Sequence, residues 1–213
     1  MDYAQRLELI KEIEDECFRK KIEYSNLVRN NPSELVSSLN PNYVLLEEPQ
    51  ADEKQVFIVR DRTDDITKVL KIEPWENLNG PVCESVALDR LSSVKGIPKI
   101  YDVKLNKEIL PFERSPYVCE YIEGTHLVRL EEIDPRVYLR MARMAFDFHK
   151  RGFLLPCDWK NNTIVDENGQ PWLVDLGHIR YYAKEGDFDF GDIFFDILGE
   201  FFRDERSGVP LRK

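Results

Sequence analysis

The stretch CDWKNNTIVDENGQPWLVDLGHI, residues 157–179, decides how the rest of the chain is read. TIVDE (163–167) and PWLVDL (171–176) read as two short strands, and Asn168-Gly169 between them is a strong hairpin-turn signal. An apolar strand that ends in Asp-Leu-Gly sets one carboxylate, Asp175, at a strand end, and Gly177 permits a sharp turn after it. A carboxylate in that position suits a hard cation such as magnesium. Asn162 stands 13 residues earlier and offers an amide oxygen as a second ligand. Asp158, or a neighbour, is the candidate to orient an attacking hydroxyl. Taken singly, these Asp and Asn residues are also what ordinary loops and hairpin ends use.

Upstream, DPRVYLRMARMAFDFHKRG reads as a helix capped by Asp134, opened by Pro135 and stopped by Gly152. Before it, YVLLEE, QVFIVRD and ITKVLKIE are β-branched runs, with DRTDD (61–65) as a hairpin turn between the second and third. A helix is expected over 81–92, then strands near 99–104 and 117–121, and a last helix over about 189–203. Phosphoryl transfer needs a lysine on the phosphates, a carboxylate to hold that lysine, an acid for magnesium and a group to position the nucleophile. Lys71 in the third strand can supply the first and Glu84 in the following helix the second. Read alone, Lys71 is equally a solvated edge-strand lysine and Glu84 an exposed helix glutamate.

The N-terminal segment reads as a helix over 3–29, with Leu7, Ile10, Ile13, Cys17, Phe18 and Ile22 near a 3.6-residue period. A second short helix, SELVSSL, is expected to be capped by Ser33. The 213 residues carry a net charge of -10, which argues against broad contact with a nucleic-acid backbone. No run of 18 apolar residues is present, so no membrane span is expected. The N-terminus lacks the apolar core of a secretory signal. Cys17, Cys83, Cys119 and Cys157 form no metal-type spacing and read as free thiols of a cytoplasmic protein.

Residues 43–203 together resemble the protein kinase-like superfamily. VLK (69–71) resembles its VAIK strand, and Glu84 stands where its helix αC glutamate stands. GIPKIYDV (96–103) resembles the strand that follows. PYVCEYIEGTHL (116–127) resembles the hinge, with Cys119 near the gatekeeper position. FDFHKRGFLL (146–155) resembles the end of helix αE, Asp158-Trp159-Lys160 resembles the Asp-Leu-Lys of the catalytic loop, and Asp175-Leu176-Gly177 resembles DFG. Asp192 falls in a helix similar to αF. Each motif alone is weak, and their order and spacing together are specific.

The resemblance implies an α+β, two-lobed protein kinase-like fold. A helical extension would occupy 1–40, a small β-rich N-lobe 41–123 and a truncated helical C-lobe 124–213. It implies ATP and Mg2+ as ligands, with Lys71, Glu84 and Asp175 meeting in one cleft. Lys71 would hold the phosphates, Glu84 would hold Lys71, backbone groups at Glu120 and Ile122 would take adenine, and Asn162 and Asp175 would take the metal. Asp158 would act as the catalytic carboxylate.

Three departures stand beside these matches. Glu47–Lys54 (EEPQADEK) has no glycine and four acids where a glycine-rich phosphate loop is expected. Aligned without gaps, the His-Arg-Asp motif falls on Leu155-Pro156-Cys157, so either Cys157 or, after a one-residue shift, Asp158 holds the catalytic position. The chain after Asp175 is short. Small atypical kinases of the RIO kind, lipopolysaccharide-core kinases and compact bacterial effector kinases share that truncation. The expected function is an ATP- and magnesium-dependent phosphotransferase acting on protein Ser/Thr. The alternatives are a pseudokinase scaffold or a small-molecule or sugar kinase.

Overall fold

The computed structural model describes residues 3–47, 55–74, 84–111, 114–156, 158–176 and 179–181, together with 197 and 199. The chain divides into two compact units. One comprises Met1–Glu76 with Tyr101–Tyr121, the other Asn77–Ile100 with Ile122–Lys213.

The first unit begins with α1 (Tyr3–Asn30) and α2 (Pro32–Leu39). Ser33 is not the cap of α2. Pro32 is already helical and Asn31 holds the cap position without a side-chain hydrogen bond, because a proline loses nothing at a helix start, where its missing N–H has no partner anyway. The sheet contains β1 (Tyr43–Glu47), β2 (Gln55–Asp61), β3 (Ile66–Pro74), β4 (Ile100–Tyr101) and β5 (Arg114–Glu120) in the order β1-β2-β3-β5-β4. Strand β3 is therefore central, antiparallel to both β2 and β5.

The pleat of β3 sorts its side chains. Leu70 and Ile72 share a face with Phe57 and Val59 of β2 and Val118 of β5, and these residues form one core with Tyr24, Leu35, Val36 and Leu39 of the two helices. The helical extension thus covers one face of the sheet. Its long helix docks through Tyr24, Leu27 and Val28, whereas Ile13, Phe18 and Ile22 are exposed, so the apolar spacing along α1 does not form a single buried stripe. The side chains of Leu7 and Ile10 lie outside the described residues. The Tyr24 hydroxyl hydrogen-bonds the Gln55 amide oxygen at the start of β2, and the Arg114 guanidinium lies 5.8 Å from the Tyr24 ring centre. Burial pushes the Tyr24 phenol up to about 12 although Arg114 pulls it down.

Lys68 is on the core face of β3 and is buried. Its ammonium donates to Asp61 at 2.7 Å and to Asp64 at 2.6 Å, and lies 4.9 Å from the centre of the Tyr101 ring. A lysine can occupy such a place only when its charge is paired. The same carboxylates shape the β2–β3 hairpin. Asp61 also accepts from the Thr63 N–H and hydroxyl, Asp64 accepts from the Ile66 N–H, and Asp65 turns the chain at φ 60°.

The second unit is built on α4 (Pro135–His149), with α3 (Glu84–Arg90), β6 (Thr125–His126), β7 (Phe153–Leu154), β8 (Thr163–Val165), β9 (Pro171–Leu173) and β10 (Arg180–Tyr181). Strands β6, β8 and β9 form one antiparallel ladder, β7 and β10 another. Asp134 caps α4 by accepting the Arg136 N–H at 2.9 Å, and Gly152 leaves the helix end at φ 79°. Val137, Tyr138, Met141, Ala142, Met144, Ala145 and Phe148 make its buried face. Gly96 (φ 91°) fits between α4 and β9, where a Cβ would lie 2.4 Å from both the Met144 methyl and the Pro171 carbonyl oxygen. Its own carbonyl accepts the Leu173 N–H at 2.8 Å. The expected last helix over 189–203, Asp192 included, lies outside the described residues apart from 197 and 199.

Substituting Asp61→Asn leaves the Lys68 ammonium with a weaker partner and is expected to lower stability by about 2 kcal/mol at pH 7. Burial works against ionisation of Asp61, but the Lys68 and Thr63 donors outweigh it and hold the carboxyl below its ordinary value. A depressed folded-state pKa stabilises above the unfolded value, about 3.9, and that stability is lost as pH falls through the folded value. Urea midpoints of wild type and variant should therefore differ at pH 7 and converge below about pH 4. A constant difference would contradict the assignment.

Candidate functional site

The β8–β9 hairpin sets the geometry of the loop ahead of it. Asp166 and Gln170 close a three-residue turn: the Asp166 N–H donates to the Gln170 carbonyl at 3.1 Å and the Gly169 N–H to the Asp166 carbonyl at 2.9 Å. Gly169 takes φ 69°, which explains the glycine of the Asn-Gly signal. The Asp166 carboxylate accepts from the Asn168 and Gln170 N–H groups and from the Trp172 indole, each at 2.9 Å. Burial raises its pKa, yet these donors and nearby Arg140 bring it below the ordinary range. Arg140 of α4 donates to the Asn168 and Gly169 carbonyls and fixes the tip.

At the other end of this hairpin the ladder continues by one rung, since the Val174 N–H donates to the Asn162 carbonyl at 2.8 Å. The backbones of Asn162 and of the residue preceding Asp175 are thereby neighbours. The preceding loop coils tightly: the Asp158 carbonyl accepts from the N–H of Asn161 at 3.0 Å and of Asn162 at 3.3 Å. Trp159 is buried and anchors the loop, its carbonyl accepting the Thr163 hydroxyl at 2.6 Å. His126 Nδ1 lies 3.2 Å from the Asn161 carbonyl oxygen and ties β6 to the same loop. The Asp158 Oδ1 is buried and has no hydrogen-bond partner among the described residues. Cys157, Gly177 and His178 lie outside the described residues.

Glu84 is buried at the first described residue of α3, and its Oε1 accepts the Leu176 N–H at 2.9 Å. The helix carboxylate is thus bound to the backbone of the Asp-Leu-Gly segment. Glu84, Asp158, Asn162 and Asp175 therefore belong to one unit, in which the Asp158 carbonyl accepts the Asn162 N–H, the Asn162 carbonyl the Val174 N–H and the Glu84 carboxylate the Leu176 N–H. Ile122 begins a later segment of the same unit, while Lys71 and Glu120 belong to the sheet unit.

Lys71 is not an edge-strand lysine. It occupies the central strand at 5% exposure, on the face opposite the helices. Its neighbours across the sheet are Val56 and Tyr117, and its ammonium lies 6.0 Å from the Tyr117 ring centre. The next rung on that face is Ile58, Val69 and Cys119, and a buried carboxylate, Glu73, follows two residues beyond Lys71. The sequence alone does not mark Tyr117 or Glu73 as members of this face. The period-2 alternation of ITKVLKIE carries the signal for Glu73, and the pairing of β3 with β5 carries that for Tyr117.

No group of three or more His, Cys, Asp or Glu side chains that could hold a metal is present among the described residues. An amide and a carboxylate, as at Asn162 and Asp175, are a hard-oxygen pair that fits magnesium when phosphate and water complete the shell.

No protein-family model matches the chain, and no curated protein matches it. Among solved structures it is similar to the Cydia pomonella granulovirus kinase PK-1, with a TM-score of 0.52 and 14% sequence identity, over 78% of this chain and 62% of that one. The fold is protein kinase-like. The chain spans less than two thirds of that kinase, and at this identity the likeness is one of fold.

Within this kinase-like fold the Glu84–Leu176 hydrogen bond is a checkable joint. Glu84→Ala removes the acceptor and should speed hydrogen exchange at the Leu176 amide and cost about 1–3 kcal/mol. Glu84→Gln, which keeps an oxygen acceptor, should leave that amide close to wild type. Equal exchange in both variants would show that the bond does not form.

Proposed function

We propose that this chain binds ATP with magnesium and transfers the terminal phosphoryl group to a hydroxyl, most directly that of a protein Ser or Thr. The observation that carries this reading is the buried Oδ1 of Asp158, which has no hydrogen-bond partner among the described residues. An acceptor withdrawn from water without a donor costs about 1–3 kcal/mol, and such a group calls for a reason. A carboxylate oxygen held ready for a hydroxyl proton supplies one. This favours Asp158 over Cys157 as the residue that orients the nucleophile.

The roles follow from the chemistry of each group. The hydroxyl oxygen bonds to the terminal phosphorus as the bond to the bridging oxygen breaks, ADP leaves, and the hydroxyl proton passes to Asp158. Lys71 holds phosphate oxygens from a face whose Ile58, Val69 and Cys119 offer an apolar rung to adenine, and backbone groups at Glu120 and Ile122 flank the base. Asn162 and Asp175 hold magnesium, which neutralises charge on the phosphates when bound. Glu84 steadies the segment carrying Asp175 through Leu176. Four acids in Glu47–Lys54 and the absence of glycine there favour a second reading, a pseudokinase that binds nucleotide without transferring phosphate.

One measurement tests the two readings together and a second separates them. A magnesium-dependent rise in melting temperature with ATP, lost in Asp175→Ala, is expected under both; its absence in wild type would remove them together. Phosphate transfer to the chain itself or to a generic protein should fall by about 100-fold or more in Asp158→Ala and persist in Cys157→Ser. Loss in Cys157→Ser with full activity in Asp158→Ala would overturn the role given to Asp158.

A further inference from the structure

Helix α4 turns one ordered stripe to solvent. Arg136, Leu139, Arg143, Phe146 and Lys150 are all exposed and follow each other at intervals of 3, 4, 3 and 4 residues, which places them along one side of a helix. Leu139 is 52% and Phe146 44% exposed, and the Lys150 ammonium lies 4.4 Å from the Phe146 ring centre. From Arg136 to Arg151 there are five Arg or Lys against one acid, Asp147, in a chain of net charge -10. Some of this charge is used locally. Arg136 pairs with Asp134, Arg140 binds the β8–β9 turn, and Arg151 binds the Asp147 carbonyl and the Ser93 hydroxyl.

The complement of that stripe is in the same chain. From Glu8 to Glu16, α1 carries five acids against Lys11. Glu8, Glu12, Asp15, Phe18 and Ile22 lie on one side of it and all are exposed, Phe18 at 67% and Ile22 at 48%. Set antiparallel to α4, this side brings Glu8 opposite Lys150, Asp15 opposite Arg143, Phe18 opposite Leu139 and Ile22 opposite the aliphatic stem of Arg136. Lys11 and Glu12 then flank Phe146. The register holds to within one residue over about four turns, roughly 21 Å. Two charge pairs and one apolar pair in a single register make a self-complementary surface.

We propose that α1 of one copy docks antiparallel on α4 of a second copy through this register. The occupant is a second copy because each chain offers both stripes. Apolar residues in single file between charges form too narrow a band for insertion into lipid.

The test is a charge swap read by sedimentation velocity on the full chain at low salt over about a hundredfold concentration range. Wild type should show a concentration-dependent dimer that weakens at high salt. Asp15→Arg and Arg143→Asp should each weaken it by about tenfold or more, with unchanged far-ultraviolet circular dichroism. An equimolar mixture of the two variants, or the double variant, should restore it. A wild type that stays monomeric throughout overturns the proposal, as does a dimer indifferent to either reversal. Binding of wild type to phosphatidylserine vesicles with no dimer in solution would overturn it in favour of a membrane-facing role for α4.

Discussion

Strand β3 places two lysines three residues apart at the centre of a five-stranded sheet, and the pleat sends them to opposite faces. Both are buried. On the helix-covered face Lys68 is enclosed by Asp61 and Asp64, so its charge is consumed in closing the β2–β3 hairpin. On the other face Lys71 stands between Val56 and Tyr117, with a smaller apolar rung beside it. A slip of one residue in the β2–β3 register would exchange these environments and bury Lys71 in the apolar core without its acids. The hairpin carboxylates therefore secure the register on which the position of Lys71 depends.

The helical unit solves a related problem with hydrogen bonds to its backbone. Asn162 and Asp175 come from chain segments 13 residues apart, and one further rung on the β8–β9 ladder makes Asn162 and Val174, the residue before Asp175, backbone neighbours. Glu84 adds a tie to Leu176 from a helix 92 positions away in sequence. Arg140 and Asp166 fix the far end of the hairpin, so the end that carries Asn162 and Asp175 is held from several directions.

Much of this was legible in the sequence where local pattern and tertiary environment agree. QVFIVRD and ITKVLKIE alternate as strands because one face meets a core, and Asp134 with Pro135 announces α4 because capping is local. Of the two-residue strands, β4 falls inside a readable run near 99–104, whereas β6, β7 and β10 carry no pattern long enough to read. Ser33 misleads as a cap because Pro32 can begin a helix. The apolar spacing of α1 misleads because, among the described side chains, only those of its Tyr24–Val28 end join the core with the sheet, a fact of tertiary contact. Among the site residues, Asp158, Asn162 and Asp175 follow from order and spacing, whereas the buried state of Lys71 and the bond from Leu176 to Glu84 depend on partners remote in sequence.

The two lysines give the account its most direct test. Titration of ATP with magnesium by calorimetry, paired with urea unfolding, should be run on wild type, Lys71→Met and Lys68→Met. Opposite faces predict opposite losses: Lys71→Met should lose nucleotide affinity by about tenfold or more with stability held, and Lys68→Met should lose stability with affinity held in its folded fraction. Retained affinity in Lys71→Met, or equal behaviour of the two variants, would contradict the division of labour on which the reading of the site rests.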